Sequence, residues 1–165
     1  MSERHGLARR TPIQAVERLL DIGPNTVHVG DDLIDVARRA FARPQTRILC
    51  VLDEEQRLIG LLPVLRIVEE VVARVAPEEL MADITSLEAA GRFGREIAAR
   101  TAADLMLPPR ALRPDDTVGD AFAAMREERL SGLPVVDEES RVTGYVDLLE
   151  LALQYLEELE RTPSA

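Results

Sequence analysis

The hydrophobic pattern is clearest between Leu130 and Glu150, LSGLPVVDEESRVTGYVDLLE. Leu133 to Val136 is apolar and β-branched, Asp137 to Arg141 is charged, and Val142 to Val146 returns to strand-like residues, which predicts a hairpin. From Asp147 the apolar positions change from a period of two to helical spacing, at Leu148, Leu151, Ala152, Tyr155 and Leu159, so a helix packs beside that hairpin. The turn residues Ser131, Gly132 and Pro134 lie near the acidic run Asp147 to Glu150. Small-molecule sites tend to be built at such junctions.

The same pattern is written twice. A slide of eighty-four residues superimposes Asp53-Glu54-Glu55 on Asp137-Glu138-Glu139, Arg57 on Arg141 and Gly60 on Gly144 without a gap. Pro24, Asp31-Asp32, Ala37 and Ala40 fall on Pro108, Asp115-Asp116, Ala121 and Ala124. With Leu49/Leu133, Val51/Val135 and Leu65/Leu149 the identities number thirteen over positions 18 to 68, against about four expected from composition. Beyond them, Val64, Leu65, Ile67, Val68, Val71, Val72 and Val75 land on Leu148, Leu149, Leu151, Ala152, Tyr155, Leu156 and Leu159, so one helix face is kept in both copies. That stripe is wider than one narrow face, as expected if one side packs on the sheet and another on a partner.

Taken in order, residues 1–11 are a flexible N-terminus and 12–76 the first repeat. Thr11-Pro12 opens a short helix through Leu20, and Gly23-Pro24-Asn25 ends it. Thr26 to Val29 is a strand, Asp31 caps a helix over 32–43, Arg47 to Leu52 and Leu58 to Leu62 form a hairpin, and Val64 to Val75 is the helix that follows. Residues 77–100 read as a helical connector with a break permitted at Gly91 and Gly94. The second repeat spans 101–160 and the tail 161–165. Its capping box is Thr101/Asp104, and Ala102 to Met106 takes the place that Arg18 to Ile22 holds in the first copy. Ala111 to Arg113 is a strand, and Thr117 to Glu127 a helix with Val118, Ala121, Phe122 and Met125 inward. The fold class is α/β (α+β), two βαββα repeats with short mixed sheets. Halves of this size are marginal alone, so they are expected to pack as one pseudo-twofold module.

Composition narrows the function. Of 165 residues 46% are hydrophobic but only 3% aromatic, with no Trp, so the core is aliphatic and stacking platforms are scarce. A net charge of −10 opposes phosphate backbones, so no nucleic-acid partner is expected. All twenty basic residues are arginine. The single cysteine, Cys50, lies in an apolar run and reads as a buried strand thiol. His5 and His28 are too isolated for a metal site. The hairpin-turn acids read as solvated. No apolar run reaches transmembrane length and no signal pattern follows Met1, so the expectation is a cytoplasmic protein with no membrane partner. No nucleophile stands beside a base and no phosphate loop exists, so no enzyme activity and no catalytic residue are assigned.

The pattern L-x-P-D-x-T-V-x-x-A, then G-L-P-V-V-D, then R-V-x-G-Y-V with an acidic residue a turn later, resembles the cystathionine-β-synthase (CBS) domain. Two copies in tandem are similar to the paired unit called a Bateman module. The resemblance covers about residues 12 to 160 and is stronger in the second copy. It implies a regulatory module, homodimeric through its helices, that binds an adenosine-containing ligand (AMP, ADP, ATP or S-adenosylmethionine) between the copies. No cofactor is required, and the regulated protein is not identified. Carried over by position, the family's glycine is Gly144, its hydroxyl residue is Asp147 and its ribose-binding aspartate is Glu150. Glu150 keeps an acceptor for ribose hydroxyls, while Asp147 puts a negative charge where a phosphate would lie. That favours adenosine, a thioether nucleoside or a metal-bridged phosphate over bare AMP. In the first copy the same positions are Pro63 and Arg66, so the ribose grip is missing, and Arg66 either reaches a phosphate or is a solvated helix residue. The implied ligand-binding set is Ser131, Gly132, Leu133, Pro134, Asp147, Glu150 and Arg66, with metal ligands absent. The alternative is a ligand-free dimerisation or docking module with degenerate nucleotide sites.

Overall fold

The most nearly repeated stretch of the sequence is a turn. Asp53 Oδ1 accepts from the amides of Glu55 at 3.0 Å and Arg57 at 2.8 Å, and Asp137 Oδ1 accepts from Glu139 and Arg141, both at 2.9 Å. Each turn holds one residue at positive φ, Gln56 at 66° and Ser140 at 63°. The side-chain oxygen replaces a backbone acceptor and fixes the loop length, which sets the register of the strands it joins.

The structure is a computed structural model that describes residues 9–20, 22–75 and 99–161. The connector expected over 77–100 lies, up to residue 98, outside the described residues, as does most of the N-terminus and tail. In chain order the elements are α1 (Ile13–Leu20), β1 (Asn25–His28), α2 (Leu33–Phe41), β2 (Ile48–Leu52), β3 (Leu58–Pro63), α3 (Val64–Val75), α4 (Ala102–Leu105), α5 (Val118–Glu128), β4 (Gly132–Val136), β5 (Val142–Asp147) and α6 (Leu148–Arg161). They form two compact units: a continuous unit, Asn25–Pro109, and a split unit made of Met1–Pro24 with Arg110–Ala165.

In the continuous unit β1 runs parallel to β2 and β2 antiparallel to β3, a mixed sheet of order β1-β2-β3. Val51 of β2, with Leu33, Val36 and Ala40 of α2, Ile67 of α3, and Ala102 and Leu105 of α4, builds its aliphatic core. The cap of α2 is Asp32, not Asp31: Asp32 Oδ1 accepts from Ile34 N at 2.9 Å. Asp31 instead takes the His28 amide at 2.9 Å and closes the turn before the helix.

In the split unit β4 pairs antiparallel with β5, with a register shift between Val135 and Val136 that matches the one between Val51 and Leu52. The strand expected at Ala111 to Arg113 is reduced to one bridge, Leu112 to Val135. Leu112 gives its amide to Pro134 O and accepts from Val136 N, but the Arg113 amide turns to the Asp116 carboxylate at 2.7 Å and Pro114 has none to give. Helix α5 begins after Thr117, whose hydroxyl and Asp120 form a reciprocal capping box. That cap turns Val118, Ala121, Ala124 and Met125 inward and leaves Phe122 43% exposed, against the expectation that it faces the core. The caps Asp32 and Thr117 are eighty-five residues apart, one more than the hairpins, so the two helices are out of phase with the slide that aligns the strands.

The short leading helices are built into these units in equivalent ways. Thr11 O accepts from Val118 N and Ile13 N donates to Asp116 O; Arg100 O accepts from Leu33 N and Ala102 N donates to Asp31 O. The residues that correspond to Ala102 onward are therefore those from Ile13, and not Arg18 to Ile22 as the uniform slide suggests. The α1 segment, at the head of the first repeat, belongs to the unit containing the second hairpin, and α4 to the unit containing the first.

Candidate functional site

The junction of β5 with α6 collects most of the residues singled out by sequence. Antiparallel pairing places Gly132 opposite Asp147 and Pro134 opposite Tyr145, and alternation along a strand puts these four on one face. Tyr145 and Asp147 are both fully buried. The Tyr145 hydroxyl donates to Asp147 Oδ2 at 3.0 Å, and Leu149 N donates to Oδ1 at 2.9 Å. A carboxylate at the first turn of a helix is favoured by unpaired amides and the helix dipole. Asp147 thus ties the strand end to α6 and uses both oxygens within the protein.

Gly132 is bare for a steric reason: a Cβ there would overlap the Tyr145 hydroxyl and stand 2.6 Å from Tyr145 Cζ and 3.0 Å from Val146 O. Gly132, Leu133 and Pro134 lie inside β4 and are buried, and Ser131 is half-buried at its start. Ser131 O accepts from Leu148 N at 2.7 Å and Pro134 O from Leu112 N at 2.8 Å, so each carbonyl already serves the fold and keeps one further lone pair.

Glu150 lies in the first turn of α6, half-buried. It takes no hydrogen bond from a described residue. Arg66 belongs to the other unit, on α3, half-buried, with a buried Nε that has no hydrogen-bond partner among the described residues. It is therefore not the freely solvated arginine that sequence reasoning allowed. One turn on, the buried Glu70 pairs with Arg74 at 3.1 Å, and Arg74 also donates to Ala99 O.

One residue near this junction was not singled out by sequence. Glu17 of α1 reaches across to Gly144, where a Cβ would overlap its Oε1 and stand 2.6 Å from Cδ. Burial pushes its carboxyl above the ordinary value. No local signal marks it, because Glu17 and Gly144 meet only through the docking of α1 on β5. Elsewhere, hydrogen bonds from Arg57 hold the Asp53 carboxyl below its usual range, and bonds from Thr117 do the same for Asp120. Burial lifts the Cys50 thiol to about 12. Among the described residues no group of three or more His, Cys, Asp or Glu could hold a metal ion, and no described helix is long and apolar enough to cross a membrane.

A duplicated α/β architecture, with a capped strand-to-helix junction and a half-buried acid one turn beyond, defines a class of small paired modules. The CBS domain family model matches residues 16–73 and 102–156, and the chain belongs to that family as a tandem pair. Among solved structures it is similar to a CBS domain-containing protein from Thermotoga maritima, at 20% identity and TM-score 0.69, covering 96% of this chain and 100% of that one. It is also similar to a CBS domain pair solved with 5′-methylthioadenosine and S-adenosyl-L-methionine, at 19% identity and TM-score 0.64, covering 90% of this chain and 98% of that one. A third is the CBS-pair protein CBSX2 in complex with AMP, at 18% identity and TM-score 0.56, covering 92% of this chain and 95% of that one. No curated protein matches the chain.

Proposed function

We propose that the chain is a regulatory module, without catalysis of its own, that binds an adenosine-containing ligand at the β4 and α6 junction of the split unit. The observation that carries this reading is Glu150. It is a half-buried carboxylate in the first turn of α6, with no donor from a described residue. It stands at the position where the resemblance puts the group that grips ribose. Two vicinal hydroxyls supply two donors, and an ionised carboxylate accepts both. Gly132 to Pro134 contribute the strand beside the ligand, and Ser131 and Pro134 carbonyls each retain an acceptor site. Asp147 acts by holding the start of α6, so the strand end and Glu150 are positioned together. Complexes of similar fold contain AMP, S-adenosyl-L-methionine and 5′-methylthioadenosine. In the other unit, Arg66 is left to a separate role: reaching a phosphate oxygen of a ligand bound at the first hairpin's own helix junction.

Output follows from helix packing: a ligand that prefers one arrangement of α6 shifts the population toward it. The partner for that helix is a second copy of the chain. Phe122 of α5 and Leu149, Leu153, Tyr155 and Leu156 of α6 are between 43% and 55% exposed. Val118, Phe122, Leu151, Ala152 and Tyr155 line an apolar groove of about 310 Å³. Isothermal titration of the full chain with AMP, ATP and S-adenosylmethionine tests the ligand reading: at least one titrates, and E150A abolishes it. If none titrates while sedimentation equilibrium gives a dimer, the ligand-free docking reading replaces it, and the exposed α5 and α6 surface is the observation in its favour.

A further inference from the structure

Helix α5 turns a second face outward, and that face is positive in a chain whose net charge is −10. Gly119, Phe122, Ala123 and Arg126 follow helical spacing, so they share one side of α5. With Val118 and Arg9 they line a cavity of about 390 Å³, and none of the six is acidic. Val118 and Phe122 also line the apolar groove against α6, so the two cavities adjoin. Arg9 is held over the start of the helix. Its carbonyl accepts from Gly119 N at 2.9 Å, and a Cβ on Gly119 would stand 2.6 Å from Arg9 Cγ and 3.1 Å from its Nε. Glycine inside a helix is less favourable than alanine; what the bare position provides here is a seat for the stem of an arginine. Arg126 starts about 10 Å further along the axis, beyond the Phe122 ring. The acids nearest to these arginines are engaged elsewhere. Asp120 Oδ2 accepts from the Thr117 hydroxyl at 2.7 Å and amide at 2.9 Å, and feels Arg9 only through space. Glu127 and Glu128 lie 3.7 Å and 4.0 Å from Arg110. Neither Arg9 nor Arg126 makes an ion pair or a side-chain hydrogen bond with a described residue.

Two guanidinium groups that no described carboxylate neutralises, with an exposed phenyl ring between them, match an oxyanion joined to an apolar body. We propose that this groove on the split unit binds a small organic anion, a carboxylate or a phosphate ester whose apolar part lies against Phe122. Arg9 and Arg126 supply charge-assisted donors in a planar fork that suits either oxyanion. Val118, Phe122 and Ala123 supply contact that a bare inorganic ion cannot use. The groove shares no residue with the β4 and α6 junction, so binding there does not depend on Glu150.

The test is ligand-observed NMR titration of the full chain with phenyl phosphate, benzoate, inorganic phosphate and benzyl alcohol, in the parent, R9Q, R126Q and E150A. The parent is expected to bind phenyl phosphate or benzoate about tenfold more tightly than inorganic phosphate or benzyl alcohol, and the better of the two identifies the oxyanion. R9Q and R126Q should each weaken that probe about tenfold. Their melting temperatures should match the parent, because both side chains are exposed, and E150A should bind the probe as the parent does. A parent that binds neither organic anion overturns the proposal. So does binding that survives R9Q and R126Q, and loss of the probe in E150A alone would move it to the β4 and α6 junction. Inorganic phosphate held as tightly as phenyl phosphate would mean diffuse charge without a groove, which also overturns the proposal. If no probe binds and R126Q shifts the sedimentation equilibrium, the groove belongs to the interface with a second copy instead.

Discussion

Removing one hydroxyl, in Tyr145→Phe, isolates the buried polar pair at the strand end. The ring stays, so no large cavity opens, but Asp147 Oδ2 loses the donor now at 3.0 Å. Both residues are 0% exposed, so water is not at hand to replace it. A hydrogen bond to a carboxylate contributes about 1.5–3 kcal/mol. For a chain of this length each kcal/mol moves Tm by about 2–4 °C, so Y145F should melt about 3–12 °C lower. Differential scanning calorimetry and urea unfolding measure it, with Y155F as control, because Tyr155 is 53% exposed and its loss should stay within about 0.5 kcal/mol. Gly132→Ala should act on the same pair, since its Cβ would displace the hydroxyl. The double variant should therefore cost less than the sum of the two singles. If Y145F matches its control, Asp147 is satisfied without Tyr145 and the account of the α6 cap given above is wrong.

Three further outcomes follow from other sites. The Glu17 carboxyl is raised by burial, so the fold disfavours its ionised form; that penalty is absent below the unfolded pKa and complete above the folded one. E17Q should thus be more stable than the parent at pH 7, with the gap closing as pH falls toward 4; melts across that range decide it, and a less stable E17Q at pH 7 would contradict the assignment. The Cys50 thiol, fully buried and lifted to about 12, should resist a disulfide reagent at pH 8 until denaturant is added; labelling of the native protein within minutes would show that β2 opens readily. Thr117→Ala removes the acceptor for Asp120 N at 3.2 Å and the hydroxyl donor to Asp120 at 2.7 Å, and should cost about 1 kcal/mol in urea unfolding; no loss would mean that α5 is held by packing alone.

Much of the architecture was legible because its causes are local. The turns at Asp53 and Asp137 are made by side chains bonding within four residues, the Thr101/Asp104 and Thr117/Asp120 caps close within three, and strand and helix periods need no distant partner. These terms also carry the repeat, which is why thirteen identities reveal two hairpins with matching bulges. Nearby errors have local causes too: Asp31 and Asp32 both look like caps, and only the backbone selects between them. Phe122 was misplaced because an apolar residue at helical spacing reads as inward, whereas only the packing of α5 decides which part of its apolar stripe is covered.

What tertiary structure alone decided is where distant segments meet. That the leading helix of one repeat joins the unit of the other depends on bonds such as Val118 N to Thr11 O, whose partners are far apart in sequence and leave no periodic trace. Asp147 looked like a charge facing a ligand; the fold buries it and gives it the Tyr145 hydroxyl and the Leu149 amide. Gly144 stood out by its repetition, but the reason for a glycine there is a carboxylate brought in from α1. Composition and spacing determine the elements, because short-range hydrogen bonds and hydrophobic period form them. The chemistry over each glycine is decided only once helix and strand pack, because it depends on which side chain arrives.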